Sequence, residues 1–179
     1  MHIFELDTEL WLPRPRAEVF PFFADAANLE RITPPWLHFE VRSKQPVEMR
    51  PGATIDYRLR VHGLPVRWQS EITAWEPPYL FVDEQRRGPY RLWHHTHTFE
   101  VKDGGTLCRD RVRYAVPFGR FANWLMVRRD VEQIFTFRAE ALKRIFASDA
   151  LPDSAPTLPR RPEPPAEQHP HLRLIAGGR

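Results

Sequence analysis

Gly88-Pro89-Tyr90-Arg91-Leu92-Trp93-His94-His95-Thr96-His97-Thr98-Phe99-Glu100 is the stretch that sets the frame for its neighbours. Gly88-Pro89 is turn chemistry, because glycine tolerates positive φ while proline fixes φ and removes a ladder donor. The residues that follow are aromatic or β-branched, with charges only near the ends, which predicts a strand over 91–101. Side chains alternate along a strand, so Trp93, His95, His97 and Phe99 share one face, and His94, Thr96 and Thr98 the other. The first face is a row of large aromatics carrying two imidazoles. Such a face suits the wall of a mostly apolar cavity with a few polar contacts.

On the C-terminal side, Asp103-Gly104-Gly105 is a hairpin signal, followed by a strand over 106–116 that Pro117 closes. On the N-terminal side, strands are predicted over 39–44, 54–61, 66–75 and 79–86, with turns at Gly63-Leu64-Pro65 and Pro77-Pro78. Six consecutive strands joined by short turns imply an antiparallel meander. A seventh, over 3–11, alternates Phe4, Leu6, Thr8 and Leu10 inward against Ile3, Glu5, Asp7 and Glu9.

Two short helices are expected between that first strand and the meander. Pro15 suits the first turn of one, whose buried face is Ala17, Val19, Phe20 and Phe23, and Pro21 keeps it short or kinked. Asp25 caps the other, with Leu29 and Ile32 turned inward. Thr33-Pro34-Pro35-Trp36 then breaks it and leaves Trp36 projecting from a stiff loop. After the meander, Phe121, Leu125, Val131, Phe135, Leu142, Ile145 and Phe146 recur at helical spacing, predicting one long helix over 118–148. A lone apolar stripe needs a surface to lie on, and the concave side of the sheet offers one.

The chain has 179 residues, 42 % hydrophobic and 27 % charged, enough for one packed domain plus an appendage. The domain is placed at 1–149. Residues 150–179 are proline-rich and lack aromatic side chains other than histidine, so they read as a disordered tail or linker through which a partner could be engaged. Net charge is only +3, and the arginines are interleaved with acids, without zinc-finger spacing or a basic block. A solvated strand face explains them, and no nucleic acid partner is expected. Cys108 is the only cysteine, which excludes an intrachain disulfide and a cysteine-rich metal site. The N-terminus lacks signal-peptide character and no segment is long and apolar enough to span a bilayer, so a cytoplasmic protein is expected.

His95 and His97 are the leading chemical candidates. At i and i+2 on one strand, they lie about 6.6 Å apart along it and point the same way. They could hold a metal, act as a general base beside a ligand-orienting donor, or be satisfied polar wall residues. A metal needs a third protein ligand and no sequence-near residue completes a motif, so neither metal nor cofactor is expected. Glu71, Asp83, Gln85 and Asp110 fall in neighbouring strands. A carboxylate among them beside an imidazole could abstract a proton, or could simply pair with Arg67, Arg91, Arg109 or Arg111. The catalytic candidates are therefore His95, His97 and Asp110. Ligand contacts are expected from Trp36, Trp68, Glu71, Gln85, Trp93 and Phe99 with the two histidines, and from Phe121, Leu125 and Phe135 of the helix. No nucleophile elbow and no Gly-rich phosphate loop occurs.

Five segments carry a family resemblance: Pro15 to Phe23; Asn28-Leu29-Glu30-Arg31-Ile32-Thr33-Pro34-Pro35-Trp36; Phe81 to Tyr90; Trp93 to Phe99; and Asp110-Arg111-Val112-Arg113-Tyr114. In these segments and in element order, residues 3–148 resemble the SRPBCC (START/Bet v 1-like) superfamily, in its polyketide cyclase/dehydrase-like branch. The resemblance implies an α+β helix-grip fold, a curved antiparallel sheet wrapped around a long C-terminal helix with two short helices after the first strand. It also implies a pocket between sheet and helix for a small hydrophobic ligand such as a lipid, quinone or polyketide-like molecule. The family includes both carriers and aromatase/cyclases, so a cyclase, dehydratase or isomerase stays open beside a carrier.

Overall fold

The computed structural model describes residues 1–117 and 126–147. The expected contacts Phe121 and Leu125 and the 150–179 tail lie outside the described residues. Strand β1 (Phe4–Leu12) alternates half-buried apolar and exposed polar residues. Helix α1 (Arg16–Phe23) follows; Pro21 lies inside it, and the helix ends two residues later. The second expected helix is a 3₁₀ helix, Ala26–Ile32, with Asp25 Oδ1 accepting the Ala27 N–H at 2.9 Å. Pro35–Leu37 forms a further 3₁₀ turn, and the strand expected over 39–44 shrinks to β2 (Glu40–Val41).

The meander continues with β3 (Thr54–Val61), β4 (Leu64–Glu76), β5 (Leu80–Arg87), β6 (Leu92–Lys102) and β7 (Gly105–Ala115). Helix α2 (Arg128–Ala147) closes the described chain. The turn expected at Gly63-Leu64-Pro65 lies one residue earlier. His62 and Gly63 both take positive φ (49° and 81°), as a two-residue turn of the I′ kind requires, so Leu64 and Pro65 already belong to β4. Asp103 and Gly104 turn the β6–β7 hairpin in the same way, at φ 50° and 75°.

All strand pairs are antiparallel, in the order β1-β7-β6-β5-β4-β3-β2. β1 joins the far end of the meander, and its outward acids explain the outward arginines of β7. Glu5, Asp7 and Glu9 lie directly opposite Arg113, Arg111 and Arg109 and pair with them at 3.5, 3.2 and 2.6 Å. The inward side chains form the core. Phe20 of α1 meets Phe99 and Phe81 edge-on, with ring centres 5.3 and 6.3 Å apart, and Phe22 meets Phe146 of α2 at 5.4 Å. α2 lies across the inner face, burying Val131, Phe135, Ala141, Leu142 and Phe146. The buried Val, Leu and Phe side chains among them each contribute about 1.5–3 kcal/mol. This is the expected helix grip. No helix among the described residues is long and apolar enough to cross a membrane.

Candidate functional site

Strand parity assembles the site. Asp83 of β5, His95 and His97 of β6 and Asp110 of β7 all point inward, and the register sets Asp83 opposite His95 and His97 opposite Asp110. Four groups from three adjacent strands thereby close into a box. His95 Nε2 lies 3.0 Å from Asp110 Oδ1 and Nδ1 3.5 Å from Asp83 Oδ2. His97 Nε2 lies 3.0 Å from Asp83 Oδ2 and Nδ1 2.7 Å from Asp110 Oδ1. That last contact is short but off the line of a hydrogen bond, leaving a buried nitrogen without an aligned partner. The two rings have their centres 3.7 Å apart.

Apolar walls and one cation complete the box. Phe81 stacks on His97 with ring centres 4.1 Å apart, and Phe135 of α2 meets His95 edge-on at 5.4 Å. Arg138, also on α2, brings Nε to 3.7 Å from Asp110 Oδ2, the oxygen the imidazoles leave free. His95 and His97 are only 5 % and 4 % exposed. A second polar thread enters from the side: Trp68 Nε1–H donates to Ser70 Oγ at 3.0 Å, and Ser70 donates to Asp83 Oδ1 at 3.4 Å.

Electrostatics assigns the protons. Burial works against both carboxylates' charge. At Asp110, Arg138 and the two imidazoles outweigh burial and hold the carboxyl well below its ordinary value; at Asp83, His97 and His95 do the same less strongly. Burial also disfavours both imidazolium ions. The Asp110 and Asp83 carboxylates overcome it at His97, which is raised, whereas at His95 burial and the neighbouring His97 charge prevail and the ring is held low. Two carboxylates and Arg138 thus surround a His97 whose protonated form is favoured and a His95 whose neutral form is favoured. A neutral imidazole between carboxylates can accept a proton, and an imidazolium can donate one. Cys108 offers no nucleophile at neutral pH: burial, and then the Asp110 charge, push its thiol up to about 12.

The expected site residues divide. Asp110, His95 and His97 come together as the box, with Phe135 against it. Trp68 and Trp93 pack perpendicular to each other at 5.2 Å, and with Tyr90 they form a half-buried aromatic cluster beside His95. Gln85 faces inward but clasps the Gly88-Pro89 turn, donating to the Tyr90 carbonyl at 2.7 Å and accepting the Tyr90 N–H at 3.3 Å. Phe99 is a core residue, 3 % exposed among Phe20, Phe23 and Phe81. Glu71 does not reach the site, since its odd position on β4 points it to the outer face, where it accepts from Arg86 at 2.6 Å. Trp36 is 53 % exposed and leans on Phe137 of α2, away from the box.

Arg138 escaped the sequence reading, although a signal existed. It falls three residues after Phe135 and four before Leu142, so a charge occupies a position on the apolar stripe of α2. Ser70 was likewise missed. Recesses of about 330 and 810 Å³ lie at the β2–β4 end of the sheet; no α2 residue lines either, and Trp68 lines the larger.

The family described as polyketide cyclase/dehydrase and lipid transport matches residues 12–142, and the chain belongs to it. No curated protein sequence matches the chain. Solved structures share the fold at low identity. Protein CV1439 from Chromobacterium violaceum is similar with a TM-score of 0.65 at 13 % identity, over 81 % of this chain and 98 % of its own. Major latex-like protein 151 from Panax ginseng gives 0.60 at 10 %, over 82 % and 99 %. The Zhui aromatase/cyclase from Streptomyces sp. R1128 gives 0.59 at 15 %, over 84 % and 100 %.

Proposed function

We propose that the protein binds a small, mainly apolar molecule with one polar end, in the grip between the inner sheet face and α2. The observation that carries this reading is the half-buried Trp68–Tyr90–Trp93 cluster running directly into the buried box, with Trp93 and His95 perpendicular at 6.2 Å. Aromatic faces receive the apolar body, and the box receives the polar end. Family membership supports a lipid, quinone or polyketide-like ligand.

The test is native mass spectrometry of the protein purified from its own host, with extraction of what is bound, backed by displacement of a fluorescent apolar probe. A stoichiometric apolar adduct, or displacement by fatty acids, quinones or fused-ring phenols, is the expected result. Failure of all of them to bind would sink the reading.

The box favours one second reading, a cyclase, dehydratase or isomerase in which His95, His97 and Asp110 move protons. The Zhui aromatase/cyclase shares the fold, which supports this without choosing it. His97→Ala separates the two: a carrier loses affinity, whereas an enzyme loses turnover by about 10²–10⁴ with binding largely kept.

A further inference from the structure

Each carboxylate of the box takes one nitrogen from each ring, Asp110 at the shorter distances. Asp110 Oδ1 takes one nitrogen of each ring, His95 Nε2 at 3.0 Å and His97 Nδ1 at 2.7 Å. The other nitrogen of each ring, His95 Nδ1 and His97 Nε2, faces a single oxygen, Asp83 Oδ2, at 3.5 and 3.0 Å. One donor atom from each of Asp83, His95 and His97 lies within 4.8 Å of the others. The third ligand that sequence spacing lacked comes from the neighbouring strand.

We propose that Asp83, His95 and His97 form a binding site for one divalent transition-metal ion of the zinc class. Two imidazole nitrogens and one carboxylate oxygen form a borderline donor set suited to Zn²⁺ and its first-row neighbours, and poorly suited to Mg²⁺ or Ca²⁺. Bonds of about 2.0–2.2 Å in a tetrahedral arrangement place ligand atoms about 3.3 Å apart, which is the scale of the two Asp83 contacts. Asp110 then plays the part of the outer carboxylate. Its hold on the far nitrogen of each ring orients both imidazoles and fixes which nitrogen faces the ion. Arg138 reaches Asp110 through the other oxygen, so its charge stands behind the carboxylate. The buried His97 Nδ1, close to Asp110 but unaligned, has room to improve that contact when the ring turns toward an ion at Nε2. Three protein ligands leave the fourth position of a tetrahedral ion to water or to the polar end of the proposed molecule.

The experiment uses the full chain, stripped with a chelator and titrated with Zn²⁺ by calorimetry and with Co²⁺ by visible absorption. One equivalent per chain is expected, with the intense ligand-field bands of low-coordinate Co²⁺. Asp83→Ala and His97→Ala are expected to weaken binding about 100-fold or more, and Asp110→Asn about 10- to 100-fold. Absence of binding would overturn the proposal. So would tight binding that survives in Asp83→Ala, which would place the ion on other histidines such as His2, His38, His62, His169 or His171. Should Asp83→Ala fail to fold, the ring-carbon NMR signals of His95 and His97 in the unaltered chain decide: selective shifts with Zn²⁺ support the site, and unshifted signals overturn it. The metal and the apolar ligand fail separately, since uptake of a fatty acid or quinone without Zn²⁺ binding overturns only the metal.

Discussion

His97 and Asp110 stand directly opposite each other on β6 and β7, and the imidazole Nδ1 of the buried His97 lies 2.7 Å from the carboxylate Oδ1. The pair is held from both sides. Phe81 covers the outer face of the His97 ring, and Arg138 reaches across from α2 to the second oxygen of Asp110. The helix is therefore tied to the sheet by charge at the point where the apolar stripe is interrupted. Losing one member of such a buried set leaves its partner uncompensated.

Asp110→Asn, nearly isosteric, is expected to lower stability by about 3 kcal/mol, because Arg138 and His97 are left buried without their shared anion. Arg138→Met is expected to act through the same contact. Urea midpoints of the two single variants and the double variant test this. Strictly additive losses in the double variant would show that the two groups are not coupled.

Acid and base act oppositely on the box. Asp83 and Asp110 titrate below their ordinary value in the fold, so their stabilisation is full above the ordinary value and is lost as pH falls through the folded values. His97 is raised above the ordinary 6.5, so its contribution is full below that value and is lost as pH rises through the folded one. His95 is lowered, so its share is full above 6.5 and is lost as pH falls. The expected curve weakens steeply in acid and loses a smaller step on the alkaline side of 6.5. Asp110→Asn should flatten the acid limb and His97→Gln the alkaline step, measured as urea midpoints against pH. Unchanged slopes in both variants would refute the assignment.

Two residues expected at one site should behave in opposite ways. Phe99→Ala removes a ring packed by Phe20, Phe23 and Phe81 and is expected to cost about 3–5 kcal/mol. Trp36→Ala changes a half-exposed ring and is expected to stay within about 0.5 kcal/mol. Thermal and chemical denaturation of the two variants side by side give the answer, and equal losses would contradict the packing described.

Sheet parity separates Glu71 from Trp68 in the same manner. Glu71→Ala is expected to leave uptake of an apolar probe at the wild-type level, because its carboxylate serves Arg86 on the outer face. Trp68→Ala, on the inner face, is expected to weaken uptake about tenfold, the equivalent of one lost aromatic contact with its hydrogen bond. Equal effects from the two variants would break the link between parity and function.

Much of the architecture was legible in local pattern. The alternation in β1, β3 and β6, the glycine turns and the 3–4 spacing of α2 are short-range signals, because backbone geometry repeats every two residues in strands and every 3.6 in helices. The same alternation placed His95 and His97 on one face. It also puts Glu71 on the face opposite Trp68, whichever residue opens β4. The expected turn at Gly63-Leu64-Pro65 was one residue late, which lengthened β4 at its start without changing which of its side chains face inward.

The sequence by itself determined the order of elements, the meander, the inward row from Trp93 to Phe99 and the helix that needed a surface. Only the tertiary structure decided which carboxylates meet which imidazoles. Asp83, His95, His97, Asp110 and Arg138 span 56 residues of chain, from position 83 to position 138, and come together through strand register and the docking of α2. Those are long-range relations set by the packing of the whole core, and no periodicity within a single segment encodes them.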